Sequence, residues 1–251
     1  VKYALYIPAS CDSGSKWPVL FLFDPQGKGS MVLKKYQLLA DNHKMVMLCS
    51  NTSKNGNTQD QSSYIIRQLF AEVFLLMPAD SNRIYFGGFS GGGRVASSAL
   101  AIQNSIKGII SIAAGTPPVS MSTCRFIGIA GKQDFNYKEV KTAVQKLTMP
   151  SIALYHNGIH EWCPSELMDK ALVLFECDAM REKTIPVAKE QLQTLSSISK
   201  LKAEKLQSAG DHTGALNTLQ YASECLNGLL KDEELNNAIN NLKNSVKYQN
   251  S

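Results

Sequence analysis

Tyr85-Phe86-Gly87-Gly88-Phe89-Ser90-Gly91-Gly92-Gly93-Arg94-Val95-Ala96 is an apolar run that stops at a serine set among glycines and then continues with helix-forming residues. It reads as a strand, a sharp turn and a helix. Within it, Gly88-Phe89-Ser90-Gly91-Gly92 fits G-x-S-x-G, a pattern in which the serine takes a positive φ on a strained turn and the glycines let strand and helix approach. The helix that follows aims its unpaired N-terminal N–H groups at the point where negative charge would develop on a bound group. The same pattern also suits a glycine-rich turn that binds a phosphate or merely packs, so the context has to decide.

Upstream, Trp17-Pro18-Val19-Leu20-Phe21-Leu22-Phe23 and Met45-Val46-Met47-Leu48-Cys49 are continuous apolar runs of the kind buried on both faces of a parallel sheet. Tyr3 to Pro8 predicts an edge strand, with a turn through Cys11-Asp12-Ser13-Gly14-Ser15 after it. Val32 to Ala40 suits a helix, and Tyr64, Ile65, Leu69, Val73, Phe74 and Leu76 recur at near-helical spacing beyond a polar loop, 51–58. Downstream of the serine, a helix runs through Leu100 and Ile102. Ile106–Ile112, Arg125–Ala130 and Ser151–His156 are further strands, with a helix over about 138–147 and another opened by Pro164. The stretch from Ala113 to Thr123 is too short for an inserted helical lid. Strands alternating with helices at this rhythm predict an α/β fold, a mostly parallel sheet with helices on both faces.

In such sheets functional groups gather beyond the carboxyl ends of the strands. Ser90, Asp134 and His160 all fall there, in the order of a nucleophile, the acid that orients its base, and the base itself. Competing readings exist for each. His156 rivals His160 but still lies on its strand. Asp134 could N-cap the following helix, although Asn136 is nearer its start. Asp24 could be an idle loop carboxylate or a pocket wall, Trp162 could line the pocket or, as we favour, belong to the core, and Cys163 could brace its loop through a disulfide or be a buried free thiol.

The combination resembles the α/β-hydrolase superfamily, and within it the compact secreted esterases of the feruloyl-esterase and polyhydroxybutyrate-depolymerase type, with acyl-protein thioesterases and carboxylesterases as further relatives. The matching pieces are Gly88-Phe89-Ser90-Gly91-Gly92, Gly131-Lys132-Gln133-Asp134 and Gly158-Ile159-His160-Glu161-Trp162, and the resemblance covers roughly residues 1–178. It implies an α/β-hydrolase fold with no lid domain and a serine carboxylic-ester hydrolase in which Ser90 is the nucleophile, His160 the general base and then acid, and Asp134 the orienting carboxylate. Gly91 N–H and Gln26 N–H would form the oxyanion hole. The sequence departs from the pattern at Asp24-Pro25-Gln26-Gly27, where many relatives carry His-Gly; Pro25 has no N–H to offer, which leaves Gln26, with Gly27 behind it. No metal and no organic cofactor are implied. The open site expected of a chain without a lid suits small-molecule or polysaccharide-linked esters. A peptidase or thioesterase on the same three residues, and a catalytically inactive scaffold, are the alternatives.

From about Pro186 the composition shifts toward Leu, Lys, Asn, Gln and Ala, and we expect a division into a catalytic domain, 1–180, and a helical extension, 181–251. Leu192, Leu195, Ile198, Leu201 and Leu206 form one predicted stripe. Ala215, Leu219, Ala222, Leu226 and Leu229 form a second, and Leu235, Ala238 or Ile239, Leu242 and Val246 a third, with Asp211 and Asp232 as helix starts. Residues 203–216 resemble the turn inside one tetratricopeptide repeat, fewer units than such arrays need. The extension either completes the fold or binds a protein partner.

The net charge of +5 is spread along 251 residues without interleaved aromatics, which argues against nucleic acid, and no apolar run is long enough to span a bilayer. Six cysteines without C-x-x-C pairs disfavour zinc. That even number, an opening strand without a start methionine and a match of Asn51-Thr52-Ser53 to a glycosylation acceptor lead us to expect an exported protein, periplasmic, cell-surface or extracellular, whose leader is absent from this chain.

Overall fold

The computed structural model describes residues 1–12, 14–115 and 124–245. Three expectations rest in part on residues outside these: Ser13 in the first turn, the lidless stretch as far as 116–123, and Val246 in the last stripe.

The chain divides into two compact units, Val1–Leu172 and Val173–Ser251. In the first, β1 (Tyr3–Tyr6), β2 (Trp17–Phe23), β3 (Val46–Ser50), β4 (Ala79–Phe89), β5 (Ile106–Ile112), β6 (Arg125–Gly131) and β7 (Ser151–His156) form one sheet in the order β1-β3-β2-β4-β5-β6-β7. Only β1 runs antiparallel, pairing Tyr3 with Ser50 and Tyr6 with Met47 at the edge; the other pairs are parallel. Every residue of β3 and β6, and β2 from Pro18 on, is buried, as strands covered on both faces must be. Alternation along β2 sends Val19, Phe21 and Phe23 into a cluster with Phe86 of β4, while Leu20 and Leu22 face the opposite way. Phe21 and Phe23 stack on Phe86, with ring centroids 4.7 and 5.9 Å apart.

Helices α1 (Gly29–Asn42), α2 (Gln59–Leu76), α3 (Gly91–Ser98) and α4 (Tyr137–Lys146) connect the strands, and a 3-10 turn, Ala99–Ala101, finishes the segment expected as one helix through Ile102. α2 starts earlier than its apolar stripe suggests because Thr58 and Gln61 form a capping box. The Gln61 N–H donates to Thr58 Oγ1 at 3.2 Å and the Thr58 N–H to Gln61 Oε1 at 2.9 Å, an arrangement worth about 1 kcal/mol. Ile65, Ile66, Leu69 and Val73 of α2 then join Ala96 of α3 in the core cluster.

The division between the units falls inside α5 (Ser165–Arg181). The second unit continues with α6 (Lys189–Ser208), α7 (His212–Leu226) and α8 (Glu233–Lys243). Asp211 and Asp232 cap α7 and α8, accepting from Gly214 N–H at 2.7 Å and Leu235 N–H at 2.9 Å. The stripe expected on α6 needs correction. Its buried face is Leu192, Ser196, Ser199 and Ala203, whereas Ile198 and Leu201 are exposed. Small residues on that face let α7 pack closely, and Ser196 donates its hydroxyl to Asp232, so hydrogen bonding as well as apolar burial selects it. Among the described residues, no helix is long and apolar enough to cross a membrane.

Candidate active site

Parallel strands deliver the candidate residues to one end of the sheet. Ser90 follows β4 at φ 53°, a conformation that costs a non-glycine residue of order 1–3 kcal/mol and persists only where its surroundings enforce it. Here the Ser90 N–H donates to Ile112 O at 2.8 Å, tying the turn to the end of β5. Gly92 is obligatory: a Cβ there would lie 1.9 Å from the carbonyl oxygen of Phe23, so only glycine lets α3 start against the end of β2.

Asp134 lies in the loop after β6 and His160 in the loop after β7. His160 Nε2 is 3.0 Å from Ser90 Oγ, and His160 Nδ1 is 3.0 and 3.1 Å from the two Asp134 oxygens. Asp134 Oδ1 also accepts from the Asn136 N–H at 2.7 Å just ahead of α4, so the carboxylate reaches the helix start and the imidazole together. Its side chain is fully buried. The histidine ring sits between Phe89, with centroids 4.8 Å apart, and Phe135, 4.2 Å apart and largely exposed on its outer side. An imidazole so clamped, with Nδ1 facing a carboxylate, is oriented to take a proton at Nε2.

His156, the rival histidine, turns elsewhere. Its Nδ1 accepts from the Gly158 N–H at 3.0 Å, and burial holds its pKa below the ordinary histidine value. Cys163 is a buried free thiol whose pKa burial pushes up to about 11. Trp162 is in the core, with rings 5.9 Å from Tyr36 and 5.8 Å from Phe89, and its indole N–H donates to Asp24 Oδ2 at 2.9 Å. Asp24 is therefore neither idle nor a pocket wall; it is a buried carboxylate satisfied on both oxygens.

That carboxylate overturns one expectation. The Gln26 N–H, expected to point at the substrate, instead donates to Asp24 Oδ1 at 2.9 Å. An aspartate two residues ahead of a free N–H readily closes such a turn, and here burial and Trp162 hold it shut. Gly91, by contrast, opens α3 directly after Ser90, where a helix leaves its first N–H groups unpaired. A residue the sequence reading passed over also sits here. Asn55, in the polar loop before α2, donates its backbone N–H to Pro25 O at 2.8 Å and lays its carboxamide against Gly91. Nothing in the local pattern marks Asn55, because the contact crosses from one loop to another. Among the described residues, no group of three or more His, Cys, Asp or Glu side chains is placed to hold a metal ion.

No protein-family model matches the chain, and no curated protein matches its sequence. Solved structures do. A hyperthermophilic esterase from Pyrobaculum calidifontis superposes with a TM-score of 0.56 at 12% identity, covering 70% of this chain and 81% of that one. An S-formylglutathione hydrolase from Agrobacterium tumefaciens gives 0.54 at 17%, covering 69% and 88%. Est1E from Butyrivibrio proteoclasticus gives 0.56 at 12%, covering 71% and 93%. The strand order, the serine turn between β4 and α3 and these superpositions agree: the chain carries an α/β-hydrolase fold followed by C-terminal helices.

Proposed function

We propose that this chain hydrolyses carboxylic esters through an acyl-enzyme, with Ser90 as nucleophile, His160 as general base and then acid, and Asp134 as the carboxylate that holds the imidazole. The observation that carries the reading is the unbroken run of contacts from Ser90 Oγ to His160 Nε2 and from His160 Nδ1 to Asp134. The fold-level likeness to esterases is consistent with it.

In the first half-reaction Ser90 Oγ attacks the ester carbonyl carbon as its proton passes to His160 Nε2. The carbonyl π pair moves onto oxygen, and Gly91 N–H, at the positive end of α3, stabilises that charge. Collapse expels the alcohol, which takes the proton from His160. Water then attacks the acyl carbon, His160 accepts its proton and returns it to Ser90 Oγ, and the carboxylic acid leaves. Asp134 stays ionised and keeps Nε2 turned toward the serine.

Fluorophosphonate labelling of the wild type, Ser90→Ala and His160→Ala, read by peptide mass spectrometry beside a panel of ester, thioester and amide substrates, tests this. The reading requires modification at Ser90 that both variants lose, with esters as the preferred substrates. A folded wild type that neither labels nor turns over an ester would sink it.

A further inference from the structure

The turn after β2 has no N–H group to spare. Pro25 has none; Gln26 and Lys28 donate to Asp24 Oδ1 at 2.9 and 3.0 Å, Gly27 donates to the Asp24 carbonyl at 3.1 Å, and Gly29 donates to Asn51 Oδ1 at 2.9 Å. An oxyanion is stabilised by converging donors about 2.7–3.1 Å from the charged oxygen. With Gly91 N–H on one side and the N–H groups of Gln26 to Gly29 taken, a side chain from another part of the chain can supply the second donor.

Asn55 lies beside Gly91. Its backbone N–H, bonded to Pro25 O at 2.8 Å, pins its loop to the β2 turn, and its side chain fills the space a residue after Ser90 would normally use for its own. A Cβ on Gly91 would lie 1.9 Å from Asn55 Oδ1, 3.0 Å from Cγ and 3.5 Å from Nδ2. The carboxamide thus rests on the residue whose N–H opens α3. It is solvent-exposed, so it can rotate about its last torsion to present either end, and the two ends occupy nearly the same volume.

We propose that Asn55 is a catalytic residue whose Nδ2–H joins Gly91 N–H to complete the oxyanion hole, a role that rests on the esterase reading. Asn55 makes and breaks no covalent bond. As the Ser90 Oγ–C bond forms and the carbonyl electron pair becomes an oxyanion, the Asn55 N–H shortens onto it, and it relaxes when the carbonyl reforms. A neutral donor suits the position, because a carboxylate would repel the charge.

The test uses the whole chain, with p-nitrophenyl acetate as substrate and an aryl trifluoromethyl ketone, which forms a charged hemiketal with the serine, as inhibitor. Asn55→Ala and the isosteric Asn55→Asp should each lower kcat by about 10²–10³-fold, with KM changed by less than about threefold. The inhibition constant of the ketone should rise by a similar factor, at unchanged melting temperature. Should Asn55→Ala melt early, Asn55→Asp decides. Ser90-dependent hydrolysis that keeps kcat within about twofold in Asn55→Asp, or that changes in KM alone, overturns this role and leaves the esterase reading intact. A wild type that neither hydrolyses the ester nor labels at Ser90 overturns both.

Discussion

The indole N–H of Trp162 donates to Asp24 Oδ2 at 2.9 Å across 138 residues of sequence, tying the loop that carries His160 to the turn after β2. Both residues are buried, so the bond has no water to replace it. Trp162→Phe keeps an aromatic ring against Tyr36 and Phe89 but leaves a carboxylate oxygen unpaired. We expect it to lower stability by about 1–3 kcal/mol in urea unfolding followed by near-ultraviolet circular dichroism. Unchanged stability would mean that the bond contributes nothing.

Asp134→Asn preserves shape while removing the charge that faces His160 Nδ1. The amide can present its N–H₂ to Nδ1 and favour the wrong tautomer. Steady-state ester hydrolysis should show kcat reduced by roughly 10³–10⁴-fold with the fold retained, since oxyanion donors and substrate binding survive.

Two neighbouring glycines should respond differently to the same methyl group. At Gly92 it meets the Phe23 carbonyl, which is sheet backbone and cannot yield, whereas at Gly91 it meets only the end of the Asn55 side chain. Gly92→Ala should therefore fail to fold or melt far below the wild type. Gly91→Ala should fold, displace Asn55 and lose turnover to an extent comparable with Asn55→Ala. Parallel melting curves and kcat values for the two variants check both halves.

Arg94 holds Glu139 in a two-pronged ion pair, at 2.7 and 3.0 Å, and Glu139 also accepts from the Gly115 N–H at 2.9 Å. The guanidinium keeps the Glu139 pKa below the ordinary carboxylate value. A lowered folded-state pKa means that the pair's contribution is complete above the unfolded value, near 4.3, and disappears as pH falls through the folded one. Both groups are substantially exposed, so we expect well under ~1 kcal/mol. Glu139→Gln should flatten the acid limb of a stability-against-pH curve between about pH 5 and 3, and leave the slope near neutrality unchanged.

In the helical unit, Arg181 closes the C-terminal end of α7. Its Nε donates to Asn227 O at 2.7 Å and its Nη2 to Cys225 O at 2.9 Å and to Glu224 O. These are carbonyls that a helix end leaves without internal partners. Arg181→Met keeps much of the stem but none of the donors, and should lower the stability of this unit by about 1–3 kcal/mol, visible as an earlier helical transition by circular dichroism.

Most of the sheet could be read along the chain because a strand buried on both faces reads as a near-continuous apolar run, as β2 does throughout, β3 up to Ser50 and β6 after Arg125. Ser90 could be picked out because only a glycine-flanked residue tolerates its turn. Asp134 and His160 stood out because each follows a strand in the order the chemistry needs. Where reading failed, two partners competed for one group. By local pattern alone Gln26 N–H is available, but the Asp24 side chain, whose direction depends on Trp162 far along the chain, takes it. On α6 the leucine and isoleucine pattern pointed to one face, but Ser196, Ser199 and Ala203 allow closer packing on another, and only the neighbouring helices select between them.

The sequence by itself determined the order and type of the elements and which polar side chains stand at the strand ends, since these follow from hydrophobic period, turn residues and the spacing of a few polar side chains. Only the tertiary structure decided which polar groups meet. The 3.0 Å approach of His160 to Ser90, the Asp24 bond to Trp162 and the Asn55 carboxamide on Gly91 join loops separated by tens of residues. Hydrogen bonds have a reach of a few ångströms, so such pairings exist only once the sheet has set the distances between its loops.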